Sequence, residues 1–580
     1  MDNAMIISKN ILKNTKPFRL AFVLVSFLFL SCQKKDSKSN NSVLGGEEVQ
    51  EVAYSTLELP EKPNIVWIVA EDLSPYLPMY GDSTVTTPNI SKLAKEGVTY
   101  TNVYSPSGVC APSRAAIALG MYPTHSGTMH MRTGPWFSFD VSDERIENYE
   151  VTAYEANVAP EVHMHSEYLR RAGYYCTNNV KEDYQFRCEM TAWDESSDKA
   201  HWKNRPKDKP FFAIFNFTDT HESQIWKRAE DSLWIDENLE VPVEPYLPTT
   251  EVALKDVRRM YSNIKVLDDK VGEVLDELKA ENLLENTIIF WYTDHGGPLP
   301  RQKRTVYDSG LQVPMIVRFP KKQLAGKTDD QLISFVDFKP TLLSLAGVPT
   351  PEYCDGRAWM GAYEDKNKRD YIFAAADRFD LLHDRIRAVR DKRYKLIRNY
   401  IPNKPYYLPV SYREQMPIMQ ELLRLDSLGQ LNKFQAQWFR KQKDSIELFD
   451  TLKDPDELHN LADKEDYAEK IKELSQAMDT WITETNDLGL IPEKDYLEKR
   501  GTYFEEPTTA KPIIAKEGDK LVLSSATEGA SIGFQWVNSK EELVPGWQIY
   551  KEPISIETNK QLVVKAHRIG FKPSEETYFK

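Results

Sequence analysis

Cysteine is scarce in this chain: five among 580 residues, at positions 32, 110, 176, 188 and 354. No two form a CxxC pair and none has zinc-site spacing, so a thioredoxin-like redox motif and a structural zinc module are both excluded. Positive charge is also in short supply. The 74 Lys and Arg against 88 Asp and Glu leave a net charge of −14. Nucleic-acid binders present a basic face, so that balance argues for no nucleic-acid partner. A small anionic ligand stays possible, because a local basic pocket overrides the global sign. Long apolar runs are missing too; the stretch Leu20 to Leu30 is too short for a comfortable membrane span. Nothing repeats at solenoid or propeller spacing.

What is present describes a folded, exported protein. Apolar residues at 41%, charged residues at 28% and aromatics at 11% argue against disorder. Lys9, Lys13, Lys16 and Arg19 precede the Leu20–Leu30 run, and Ser31-Cys32 follows it. A basic segment before a short apolar one reads as a secretory signal. Cys32 after a small residue resembles a bacterial lipoprotein cleavage site, which implies a lipid anchor on Cys32 and a periplasmic or outer-membrane location. A plain signal peptide is the alternative. Residues 1–32 are thus assigned to the signal and the polar stretch 33–60 to a flexible tether.

The body opens at KPNIVWIVAED, where Ile65 to Ala70 is continuously apolar and ends in Glu71-Asp72. Such a run suits a central strand covered on both faces. Pro88 to Gly97 and Cys110 to Gly120 read as helices with glycine stops. Phe211–Phe217 and Thr287–Tyr292 read as further strands, with Thr220-His221 and Asp294-His295 just past their ends. A long helical pattern from Val252 to Leu278 separates them, and this alternation indicates a doubly wound α/β unit. The expected boundaries are a catalytic α/β domain at 61–370, a smaller α+β subdomain at 371–507 and a small β-sandwich at 508–580.

The segment Cys110-Ala111-Pro112-Ser113-Arg114, with Gly120 six residues beyond Arg114, places a thiol and a guanidinium at a helix N-terminus. Free N–H groups and the helix dipole favour anions there. This motif resembles the signature of the type I sulfatases. The resemblance implies an alkaline-phosphatase-like fold, with a large mixed sheet flanked by helices, and oxidation of Cys110 to formylglycine by a maturation enzyme. The hydrated aldehyde would act as the nucleophile and regenerate when sulfate leaves.

Further roles follow from the same resemblance. Glu71, Asp72, Asp294 and His295, with residue 110, are the expected ligands of a calcium ion, which favours carboxylate oxygens. The family carries Asp-Asp where this chain has Glu71-Asp72, and often Asn where it has His295. Lys181 and Lys303 would hold the sulfate, with Arg304 the alternative to Lys303. His221 would protonate the leaving group, and His125 in GMYPTHSG would act as base. Asp183 stands where many relatives have a sulfate-binding histidine. TNNVKEDY and the stretches around 294–314 and 376–395 resemble heparan N-sulfatase and its bacterial relatives. That implies a sulfated saccharide, of heparan or glucosamine type, with Arg378, Asp384 and Arg385 near the sugar. Two other readings are a phosphonate or phosphate monoester hydrolase on the same fold, and a non-catalytic glycan-binding lipoprotein.

Overall fold

The computed structural model describes residues 52–131, 133, 154–500, 506–538, 543 and 546–580. The signal segment, Cys32 and most of the tether lie outside the described residues. A nine-stranded mixed sheet forms the centre. Its strands are β1 (Asn64–Ala70), β2 (Val98–Tyr104), β3 (Tyr175–Asn179), β4 (Glu195–Ser196), β5 (Phe211–Phe217), β6 (Thr287–Thr293), β7 (Gln312–Arg318), β8 (Lys327–Asp329) and β9 (Ile333–Ser334). They lie in the order β4-β3-β5-β1-β6-β7-β2-β8, with β9 paired to β2.

The uninterrupted apolar run of β1 is explained by burial of all seven of its residues. Ile65, Trp67 and Val69 point into one core, while Val66, Ile68 and Ala70 point into the other. Alternate side chains of a strand face opposite ways, so a sheet covered on both sides needs no polar residue in its middle strand. Trp67 packs edge-on to Phe212 at 5.0 Å and to Tyr292 at 5.7 Å, locking β1 to its two neighbours.

Helices cover both faces: α1 (Pro88–Glu96), α2 (Cys110–Leu119), α3 (Pro123–Ser126), α4 (His165–Arg171), α5 (Ser223–Lys227), α6 (Glu251–Ala280), α7 (Asp308–Leu311) and α8 (Phe338–Leu345). In α6, Val257, Met260, Tyr261, Ile264, Leu267, Val271, Val274 and Leu278 form one buried stripe at helical spacing. Gly120 ends α2 in the left-handed region, at φ 72°, where a side chain would be strained.

The decisive feature is direction. Strands β3, β5, β1 and β6 are adjacent and mutually parallel. Their C-terminal ends therefore open on one edge, the place where α/β sheets bind ligands.

Beyond the large sheet, β10 (Ile372–Ala376), β11 (Ile386–Arg390), β12 (Tyr394–Asn399) and β13 (Ile446–Asp450) form an antiparallel sheet. Residues 386–399 thus form two strands joined by a turn. Helices α9 (Pro417–Ser427), α10 (Gln435–Phe439), α11 (Ala468–Glu484) and α12 (Glu493–Arg500) accompany this sheet. The last elements are β14 (Ile513–Glu517), β15 (Lys520–Ser524), β16 (Ser531–Val537), β17 (Gln548–Ile549), β18 (Ile554–Ser555), β19 (Gln561–His567) and β20 (Thr577–Phe579). They make two small sheets around Leu521, Leu523, Phe534, Leu562 and Val564, a sandwich core. Cys110, Cys176, Cys188 and Cys354 are free thiols, so no Cys176–Cys188 bridge is formed.

Candidate active site

The site is assembled from strand ends. Lys181 follows β3, His221 and Glu222 follow β5, Glu71 and Asp72 follow β1, and Asp294 and His295 follow β6. Cys110 enters from the side as the first residue of α2. A close crossing of two loops holds it there. The backbone N–H of Arg304 donates to the carbonyl of Gly108 at 2.6 Å. A Cβ at Gly108 would lie 2.3 Å from the Thr305 carbonyl oxygen, so only glycine permits the approach.

Cys110, Asp72, Asp294 and His295 each offer a ligand atom within 4.8 Å of the others. The Cys110 Sγ is 3.4 Å from His295 Nε2 and 3.9 Å from Asp72 Oδ1. His295 Nε2 lies 3.1 Å from Asp72 Oδ1 and 3.8 Å from Asp294 Oδ1. All four residues are buried.

Buried carboxylates draw positive charge. Burial opposes ionisation of Asp72, yet Lys303 and then His221 and His295 outweigh it and hold the carboxyl well below its usual range. Asp294 is lowered likewise, by His295, Arg114 and Lys181 against burial. Burial also works against a charged His295, but Asp294 and Asp72 raise it to about 10. Such a donor set fits a hard divalent cation, with Asp72 and Asp294 as its oxygen ligands and His295 and residue 110 beside them.

Glu71 is differently employed. Its Oε1 takes Lys181 at 2.9 Å and Arg114 at 3.4 Å, and it stands outside the four-residue set. Burial raises its pKa despite those two cations. The extra methylene relative to Asp thus delivers the carboxylate to the basic side chains. Arg114 also bonds Asp294 Oδ2 at 3.1 Å and Asn216 Oδ1 at 2.7 Å.

Lys303 is joined to Asp72 Oδ2 at 2.7 Å and to His221 Nε2 at 3.2 Å. The His221 Nδ1 accepts the backbone N–H of Ser223 at 3.2 Å, which turns Nε2 toward the pocket. Burial, then Lys303, lowers the pKa of His221. Three residues that the sequence did not single out are built into this network. Glu222 binds Lys303 and Arg304, Asn216 holds Arg114, and Asp380 receives Arg304 Nε at 3.0 Å. Only Glu222 left a trace in the sequence, as an acid directly after His221.

His125, Arg378, Asp384 and Arg385 stand apart from this network. His125 lies on α3 with Nδ1 on Asp355 at 3.0 Å, and no contact among the described residues ties it to Cys110. Arg378 is fully buried and forks onto Glu493 at 2.7 and 2.8 Å, so its guanidinium is committed to a protein carboxylate. Asp384 pairs with Lys443. Arg385 is half-buried on the same loop. Asp183 lies 3.8 Å from Lys181.

Known proteins are similar to this chain. A family profile described as Sulfatase matches residues 63–348, and one described as N-sulphoglucosamine sulphohydrolase, C-terminal, matches residues 301–412. An ulvan-active sulfatase from Formosa agariphila is 48% identical over 592 residues, spanning 96% of this chain and 97% of its own. Human N-sulphoglucosamine sulphohydrolase is a more distant relative, 23% identical over 479 residues that span 75% of this chain and 93% of its own. Among solved structures, BT4656 in complex with its substrate D-glucosamine-2-N,6-O-disulfate superposes with a TM-score of 0.51 at 19% identity, covering 73% of this chain and 98% of that one. With the alkaline-phosphatase-like fold and 48% identity to a named sulfatase over nearly its whole length, this chain belongs to the sulfatase family.

Proposed function

We propose that this sulfatase removes sulfate from a sulfated glycan, with residue 110 as nucleophile after conversion of its thiol to formylglycine by a maturation enzyme. The observation that carries this reading is the position of Cys110, at the N-terminus of α2 and within 4.8 Å of Asp72, Asp294 and His295. A calcium ion held by Asp72 and Asp294 would offset the charge of the sulfate and fix its orientation. The chain's own residues do the rest. Lys181 and Lys303 donate to the sulfate oxygens, where negative charge develops. Arg114 steadies residue 110 from one helical turn away. His221, once protonated, would deliver its Nε2 proton to the oxygen or nitrogen of the departing sugar and return to neutral imidazole, with the Ser223 hydroxyl, 2.9 Å from Nδ1, able to accept the other N–H of the imidazolium. Its position beside Lys303 supports that role, because both then face the same bond.

The substrate follows from the relatives' names. The Formosa agariphila sulfatase, at 48% identity, is called ulvan-active. That favours an ulvan-type glycan over the glucosamine sulfates suggested by the human relative and by BT4656. The N-terminal signal and Cys32 support export as a lipid-anchored protein, which would place the enzyme where polymeric glycans are met.

The test is sulfate release by protein co-expressed with a maturation enzyme. The panel holds ulvan oligosaccharides and N- and 6-O-sulfated glucosamine, with Cys110→Ala as control. Release from a sulfated saccharide, absent in the control, is the expected result. No release from any sulfated sugar, with formylglycine verified by peptide mass spectrometry, overturns the reading and directs attention to phosphonate esters.

A further inference from the structure

A pair of aromatic rings stands beside His221 that none of the roles above uses. Trp226 lies on α5, the short helix that follows His221, and Tyr412 comes from the segment before α9. Their ring centroids are 5.1 Å apart and their planes cross at 80°. Tyr412 in turn meets the imidazole of His221 edge-on, with centroids 6.4 Å apart. The side chain of His221 is 14% exposed, and Trp226 and Tyr412 are both half-buried, so each of the three rings is partly open to solvent. Trp226 is packed against the large apolar core on its inner side, which fixes it in place.

We infer that Trp226 and Tyr412 form the subsite that receives the sugar ring from which sulfate departs. The inference rests on the reading of this protein as a glycan sulfatase. A proton donor must lie within hydrogen-bond reach of the leaving atom, so the ring bearing that atom sits within one ring's width of His221. A pyranose presents a patch of C–H groups on each face and hydroxyls around its rim. Rings with an apolar face and a polar tip suit such a surface. Two rings set almost perpendicular make a corner, and a corner selects orientation as well as contact. The two residues come from different parts of the chain, one on the catalytic sheet's loop and one 186 positions later, so the corner also requires docking of the C-terminal subdomain. Trp226 and Tyr412 are specificity-determining residues on this account, and the sulfate pocket of Lys181, Lys303 and Arg114 does not depend on them.

The experiment separates sugar from sulfate. Trp226→Ala and Tyr412→Ala are compared with Trp226→Phe and Tyr412→Phe, which keep a ring. KM is measured on a sulfated oligosaccharide that the wild-type enzyme turns over, and inhibition is measured with inorganic sulfate, which fills the sulfate pocket alone. The alanine variants should raise KM by about tenfold, the scale of one lost aromatic contact, with sulfate inhibition unchanged. The phenylalanine variants should stay close to wild type. In parallel, calorimetry on the non-turning-over Cys110→Ala protein should show the same loss of oligosaccharide affinity when either alanine change is added. Unchanged KM and affinity in both alanine variants overturn the inference while leaving the sulfatase reading intact. Weakened sulfate inhibition in step with KM overturns it too, because the damage would then be to the sulfate pocket. A wild-type enzyme that releases sulfate from no saccharide is the separate failure of the parent reading.

Discussion

Glu222 grips Arg304 with both carboxylate oxygens, each 2.9 Å from a terminal guanidinium nitrogen, and the pair is buried one residue beyond His221 and Lys303. The same carboxylate lies 3.2 Å from Lys303, and its backbone N–H donates to Asp72 Oδ2 at 2.7 Å. One acid therefore ties together the loops that follow β5, β6 and β1.

Removing that acid should be severe. Glu222→Ala takes one carboxylate away from two buried cations, leaving Lys303 with Asp72 and Arg304 with Asp380, so the loss is bounded by the about 3–5 kcal/mol of a fully broken buried ion pair. Denaturant unfolding should show a loss within that bound, together with a fall in kcat. Glu222→Gln keeps the shape and part of the hydrogen bonding and should lose less of both. Equal stability of the alanine variant and the wild type would contradict the bracing role.

The difference between Cys110 and Glu222 shows what the sequence could and could not convey. Cys110 and Arg114 are neighbours on one helical turn, so their proximity is written in nearby letters. Asp72, His221 and Asp294 each lie just past a largely apolar run, and strand ends on a parallel sheet share an edge; Lys181 follows the polar Thr177-Asn178-Asn179, so only the family resemblance points to it. Glu222, Asn216 and Asp380 depend on contacts with residues 82, 102 and 76 positions away, which no local pattern encodes. For Arg378, the resemblance to heparan N-sulfatase implies a place near the sugar, whereas its guanidinium is committed to Glu493, 115 residues downstream, a contact that no local pattern encodes. The fold was legible for the same reason as the strand ends: β1, β5 and β6 are dominated by apolar runs, and α6 carries a single long stripe.

Cys110→Ala should abolish sulfate release yet leave the melting temperature nearly unchanged. Its side chain is small and buried at a helix start, and alanine is well tolerated there. Measurable turnover by this variant, above the level of a preparation lacking substrate, would remove residue 110 from the role of nucleophile.

Chelation of divalent cations should both inactivate and destabilise. Asp72 and Asp294 are buried, with Lys303, Arg114, Lys181, His221 and His295 to offset their charge. A cation bound to the folded state alone, at about 100 times its dissociation constant, adds about 2.7 kcal/mol of stability. Thermal melts with and without chelator, followed by calcium or zinc, read this directly. Recovery with zinc but not calcium would count against an oxygen-ligand site.

His221→Ala should discriminate among leaving groups. An activated aryl sulfate needs little protonation, whereas a sugar hydroxyl is a poor leaving group. The expected loss in kcat is about 100-fold or more for the glycan, the scale of general acid catalysis, and much less for the aryl ester. Parallel losses on both would point to a role in binding.

Docking of the C-terminal sandwich should depend on pH through His163. Its Nδ1 lies 3.2 Å from Glu189 Oε1 and 3.9 Å from Glu167 Oε1. Glu167 Oε1 accepts a hydrogen bond from Ser531 of β16 at 2.7 Å and pairs with Arg171, and Lys339 donates to the His163 carbonyl at 2.8 Å. Burial disfavours the imidazolium, but Glu189 and Glu167 outweigh it and raise the pKa of His163 above its ordinary value. A raised histidine stabilises the fold fully below its unfolded pKa, about 6.5, and that contribution is lost as pH rises through the folded value. Glu167 works on the acid side: its pKa is lowered, so its contribution disappears as pH falls below the carboxylate range. Between these limits the junction is tightest at mildly acidic pH. Proteolysis of the junction or thermal unfolding, followed from pH 5.5 to pH 9, should show weakening with rising pH, bounded by one charge-assisted hydrogen bond of about 1.5–3 kcal/mol. His163→Gln, which holds no titrating proton, should flatten the profile. A wild-type junction that tightens as pH rises would have the opposite sign and would remove His163 from this role.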